Sequence, residues 1–219
     1  MEYANMKIQE LLTENDDELM RDVIDSRYGK SFLTEVVPQA AADIKAHCQP
    51  YLKEINNDVM NNWLFRGVQN TMSEGWIEKR VRLDDRKSLD TPDHIHRMYN
   101  QWFTLNFGQP FRNAIFASGN MNSAADYGML YMIFPKGDFS YLWSPQIEDL
   151  NTLHRNRMDI SAEDLFNHLG QVGYTQTDLP KAIKTGNEIM IRSQSYYGLL
   201  MPTHPRMMKY TLTVLGSLL

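Results

Sequence analysis

A single arginine inside a compact apolar run, Trp63-Leu64-Phe65-Arg66-Gly67-Val68, constrains this chain more than any other feature. Polar residues bound the run on both sides, and its length and content predict a buried strand. A guanidinium in such a strand is costly unless an anion meets it. Arg66 is therefore either paired with a carboxylate at the edge of the core or reserved for a ligand. Gly67 beside it permits close approach by a ligand or by another backbone.

The run also divides the chain. Met6, Ile8, Leu11 and Leu12 predict a short amphipathic helix over residues 5–12, and Leu19, Met20, Val23 and Ile24 a further turn or two. The apolar set from Phe32 to Val59 keeps a helical period and predicts two helices split at Pro50. Beyond residue 62 the pattern shortens, with strands expected at 113–118, 129–134, 139–143, 188–193 and 210–215. Helices are expected at 91–106, 123–127 and 162–169, and exposed irregular segments at 84–92 and 202–205. No repeat, low-complexity tract or Gly/Ser linker interrupts the sequence. With 219 residues, 42% of them hydrophobic, the chain reads as a single α+β domain: a helical N-terminal portion, 1–62, and a mixed α+β core, 63–219.

A net charge of −5 gives no footprint for a nucleic-acid or anionic-membrane binder, which needs a clustered excess of Lys and Arg. The local cluster Arg80, Arg82, Arg86 and Lys87 is interleaved with Glu78, Asp84 and Asp85 and reads as a solvated loop face; contact with adenosine phosphates or a target is its functional alternative. The single Cys48 forms no internal disulfide and lies in a helical pattern without a neighbouring His, which favours an inert thiol. Charges throughout residues 1–20 argue against a signal-peptide core there, and no later segment reaches the ~18 apolar residues of a membrane helix. The expectation is a soluble cytoplasmic protein.

Two further segments carry chemistry. Phe116-Ala117-Ser118-Gly119-Asn120 reads as a strand ending in small polar residues, followed by a short helix with Ser123 as N-cap and Ala124 and Tyr127 on its buried face. Gly186-Asn187-Glu188-Ile189-Met190-Ile191 places one carboxylate at the start of an apolar strand. His94 and His96 are two apart on a predicted helix, face different ways, and lack a third ligand, so a metal site is not expected. Trp143-Ser144-Pro145 predicts a core tryptophan at a strand end and a serine cap for a following helix.

Taken together, Leu64-Phe65-Arg66-Gly67, Phe116-Ala117-Ser118 with Ala124 and Tyr127 downstream, and Glu188-Ile189-Met190-Ile191 resemble the Arg, Ser-Thr-Ser and Glu motifs of the Arg-Ser-Glu class of ADP-ribosyltransferases. The resemblance covers residues 63–197 and is closest to bacteriophage enzymes that modify host proteins. It implies an ADP-ribosyltransferase-like split β-sheet core behind a helical N-terminal portion. It also implies an enzyme that uses NAD as co-substrate, cleaves its nicotinamide–ribose bond and passes ADP-ribose to a macromolecular acceptor. A host protein in the host cytoplasm is the implied acceptor, with nucleic acid left open and no membrane involved. Arg66 would hold NAD phosphates or the nicotinamide-side ribose, Ser118 would support the nicotinamide pocket and orient the glutamate, and Glu188 would bond the ribose 2′-OH and stabilise the positive charge that develops as nicotinamide leaves. Gly67, Asn120 and Tyr127 join Arg66 and Ser118 as expected NAD contacts, and the catalytic set is Glu188, Arg66 and Ser118.

The chain departs from the family pattern at two places. Ser118-Gly119-Asn120 stands where the family has Ser-Thr-Ser, and Gly186 stands where transferases that modify arginine carry a second Glu and others often carry Gln. The alternative reading is a non-catalytic binding or virion structural protein built on the same kind of sheet. The sequence leaves the oligomeric state open.

Overall fold

The computed structural model describes residues 27–69, 74–86, 91–153 and 159–219. The helices expected at 5–12 and near 19–24 lie outside them, as does Lys87. The described chain is a mixed α+β structure with two antiparallel sheets.

It opens with helix α1 (Arg27–Ser31), a wider π turn (Phe32–Val36) and helix α2 (Val37–His47). Pro38 has no N–H to offer the turn before it, and the π turn sits where that bond would be missing. Phe32, Leu33, Val37, Ala40, Ala41 and Ile44 are buried along one side. The next break falls at Cys48, and Pro50 lies inside the first turn of helix α3 (Gln49–Glu54), where its missing N–H costs nothing. The split expected at Pro50 thus falls two residues earlier, at Cys48.

One sheet has the order β1 (Phe65–Val68), β4 (Met129–Lys136), β7 (Ser195–Leu200), β2 (Trp76–Arg80). The other has the order β3 (Ile115–Ala117), β6 (Ile189–Arg192), β5 (Ser140–Trp143). Helices α2 and α3 pack on the first sheet. The second sheet alternates: Ile115, Ala117, Tyr141, Trp143, Ile189 and Ile191 join the main core, while Leu142 and Met190 face a smaller core built with helices α4 (Asp93–Phe107) and α6 (Ala162–Gln171). Between them run α5 (Met121–Ala125), a 3₁₀ turn (Leu150–Leu153) and α7 (Leu179–Thr185); α8 (Pro205–Leu218) ends the chain and packs against α2.

Residues 210–215, expected as a strand, lie in α8. Tyr210-Thr211-Leu212-Thr213-Val214 is rich in strand-favouring residues, but Met207, Thr211, Val214 and Leu215 are the buried ones, which is helical spacing behind Pro205 in the first turn. The helix expected after Ser144 is also absent. Ser144 Oγ instead bonds Val172 O and accepts Gln146 N–H at 3.0 Å, closing a turn. Trp143 is in the core as expected. No helix among the described residues is long and apolar enough to cross a membrane.

Candidate active site

The site forms where the two sheets meet. A single antiparallel bridge joins Phe65 to Ser118, with N–H···O bonds of 2.8 and 2.9 Å in the two directions. Strand β3 pairs in turn with β6, Ile115 opposite Ile191 and Ala117 opposite Ile189, so one further step sets Ser118 across from Glu188. The motifs carrying Arg66, Ser118 and Glu188 are therefore neighbours in space, though 52 and 70 residues separate them in sequence (118 − 66 and 188 − 118).

Arg66 Nη1 donates to Phe116 O at 2.8 Å, reaching from the first sheet to the second, while its buried Nε has no partner. Ser118 is buried; its Oγ donates to Gly186 O at 2.6 Å and accepts Asn120 N–H at 2.9 Å. The donated bond fastens the β3 corner to the loop that delivers Glu188, and the accepted one closes the corner itself. Gly186, the C-cap of α7, has φ +72° and so occupies a left-handed turn that favours glycine.

Glu188 keeps some exposure, yet withdrawal of its carboxyl from water pushes its pKa up to about 7, and Asp149 pushes the same way. Arg112, the N–H of Leu150 and Arg86 act against that rise. Arg112 is 4% exposed. Its Nη2 donates to Thr91 Oγ1 at 2.7 Å and Asn151 Oδ1 at 3.0 Å, and its Nε is an unpartnered buried donor. Arg86 was expected on a solvated face with Arg80 and Arg82. Those two are exposed, Arg82 pairing with Asp85 at 3.3 Å, but Arg86 turns inward and lies 3.9 Å over the Phe116 ring. Burial, together with Arg112 and Arg66, lowers its pKa to about 9.

The remaining expected contacts resolve locally. The close neighbour of Gly67 is protein backbone: a Cβ there would collide with Ala124 O and lie 2.7 Å from the Tyr127 carbonyl carbon. Asn120, not Ser123, caps α5, its Oδ1 accepting Asn122 N–H at 2.9 Å. Tyr127 is 51% exposed rather than on the buried face of α5 with Ala124, because the helix ends at Ala125. Its hydroxyl reaches Asp149 Oδ2 at 3.3 Å, which puts it on the rim beside the segment facing Glu188. An open depression of about 380 Å³ lies next to Ser118, lined by Gly119, Asn120, Met121, Asn122 and Ile183 to Gly186.

No group of metal-ligating side chains occurs among the described residues. His96 is a core residue whose Nε2 meets Asn113 Oδ1 at 3.0 Å, and burial lowers its pKa. Burial pushes the Cys48 thiol up to about 12, so it is no nucleophile at neutral pH. Arg112 escaped the sequence reading although it carries the signal that singled out Arg66: a lone arginine in Pro110-Phe111-Arg112-Asn113-Ala114-Ile115, a mainly apolar stretch leading into a strand.

No family model, curated protein or solved structure matches the chain.

Proposed function

We propose that the chain is an ADP-ribosyltransferase that cleaves the nicotinamide–ribose bond of NAD and transfers ADP-ribose to a macromolecular acceptor, on an ADP-ribosyltransferase-like split sheet. The observation that supports this reading most is that one bridge and one register bring Arg66 on β1, Ser118 at the end of β3 and Glu188 at the start of β6 to the same sheet junction. The donor set suits the co-substrate: NAD carries a diphosphate, and the orphaned Nε donors of Arg66 and Arg112 are what an anion would satisfy.

NAD supplies the chemistry of a good leaving group, nicotinamide, on an anomeric carbon. The protein's part is electrostatic and positional. Glu188, ionised, stabilises positive charge building on the ribose in a site with little water to compete. Ser118 is a positioning residue, since both sides of its hydroxyl are spent on Gly186 and Asn120. Arg66 holds the anionic part of NAD, so Arg66→Ala should raise KM for NAD with a smaller change in kcat; an unchanged KM would remove it from the binding site.

The active form of Glu188 is the carboxylate, so kcat/KM for NAD rises with pH through about 7 and levels off above it. A profile flat between about pH 5 and 9 would deny Glu188 that role. The acceptor is sought by incubating the protein with labelled NAD and bacterial lysate. Labelled protein bands support a protein-modifying transferase, label on nucleic acid identifies that acceptor, and intact NAD throughout rejects the reading in favour of a binding protein.

A further inference from the structure

Three guanidinium groups converge on one residue, Phe116. Arg86 lies 3.9 Å and Arg112 4.9 Å from the centre of its ring, and Arg66 donates to its carbonyl oxygen. Each spends a single nitrogen on neutral acceptors: Arg66 Nη1 on Phe116 O, Arg86 Nη1 on Arg112 O at 3.1 Å and Ala114 O at 2.7 Å, Arg112 Nη2 on Thr91 and Asn151. The ion pairs Arg82–Asp85 and Lys136–Glu78 involve none of the three, and none of them meets a described carboxylate at that range.

Like charges gathered in a partly dry site repel strongly, and a planar guanidinium offers five N–H donors. Arg112 is all but fully buried with its Nε unpaired, and the Nε of Arg66 is unpaired too. Glu188 and Asp149 are the carboxylates nearby, neither within ion-pair distance of the three, and two carboxylates do not neutralise three cations. Arg66 and Arg86 remain partly exposed, so an anion from solvent can reach the cluster.

We propose that Arg66, Arg86 and Arg112 together form a binding site for a diphosphate group, with Arg86 and Arg112 as specificity residues outside the three motifs. Two bridged phosphates present the spread of oxygens that several guanidinium forks can share, which a single carboxylate does not. The proposal deepens the NAD reading by naming what holds the co-substrate's diphosphate, yet it concerns binding of the anion alone.

The test is titration of the full chain with inorganic pyrophosphate, followed by calorimetry and by thermal unfolding. The wild type and the surface control Arg82→Gln should bind it, with affinity falling as salt is raised, and Arg86→Gln should bind about tenfold more weakly. Because Arg86 also ties down the carbonyls of Arg112 and Ala114, Arg86→Lys serves as the second variant: it keeps a charge and a donor, loses the fork, and should fall between the two. Equal binding by wild type and both Arg86 variants, or no binding by the wild type, overturns the proposal. Glu188→Gln should bind pyrophosphate at least as tightly, since a like charge is gone. A protein that binds pyrophosphate through Arg86 but leaves NAD intact keeps the anion site and discards the transferase; one that cleaves NAD with the same KM in Arg86→Gln does the reverse. ADP-ribose in place of pyrophosphate distinguishes the source: tighter, Arg86-dependent binding identifies a nucleotide diphosphate, and weaker binding a free one.

Discussion

Glu188→Gln should abolish NAD turnover, by about 10³-fold or more, in a protein that is folded and, at pH 8, more stable than the parent. The two effects share a cause. The folded state holds the Glu188 pKa near 7, above the ordinary 4.5, so folding favours the protonated form. The stability this group contributes is fully present below about pH 4.5 and is lost as pH rises through about 7. At pH 8 the ionised carboxylate is therefore a burden. An uncharged amide of the same shape relieves it. With the residual exposure of the side chain discounted, the gain is about 1–2 kcal/mol, worth about 2–4 °C of Tm per kcal/mol in a chain of this length. Thermal unfolding at pH 5 and pH 8 checks it: the gain should appear at pH 8 and shrink at pH 5. A variant less stable than the parent at pH 8 would show that Glu188 is a structural anion instead.

Gly119→Thr, which would put at this position the threonine of the Ser-Thr-Ser motif that the corner resembles, should damage the protein instead of improving it. A Cβ at position 119 would collide with the backbone carbonyl of Ile183 and stand 2.7 Å from its carbon. Backbone cannot swing aside as a side-chain tip can, so α7 must move, and with it the Gly186 carbonyl that receives the Ser118 hydroxyl. A loss of about 3 kcal/mol follows, enough to lower Tm by about 6–12 °C, together with most of the activity. A melting temperature equal to wild type would mean that α7 does not hold this corner. Packing accounts for the glycine at 119: the helix before the Glu188 strand lies closer to the β3 corner than any side chain there allows.

The strand carrying Arg66 was readable because its signal is local: five apolar or small residues with one cation among them. Strands β3, β4, β5 and β6 were readable for the same reason, each a short run of aromatic or branched residues between polar ones. Strand β2 was not. Its burial alternates only weakly, Ile77 being its one buried side chain, and its Arg and Lys hide an edge strand inside what looks like a loop. Helix α8 was misread because Tyr210 to Val214 obeys strand propensity and helical period at once, and packing against α2 decided between them. At the site, Arg66, Ser118 and Glu188 could be picked out individually, but their adjacency depends on one bridge and one register that no sequence window contains. Arg86 was assigned to solvent because the charges beside it are solvated; its inward turn follows from the Phe116 ring and two carbonyls more than 25 residues away.

The most direct measurement is the initial rate of nicotinamide release from NAD at pH 8, with bacterial lysate as acceptor source, for the wild type and Glu188→Gln side by side. The expected result is steady release by the wild type and none above background by the folded variant. Release at the same rate by both, or by neither, would contradict a site built on Arg66, Ser118 and Glu188.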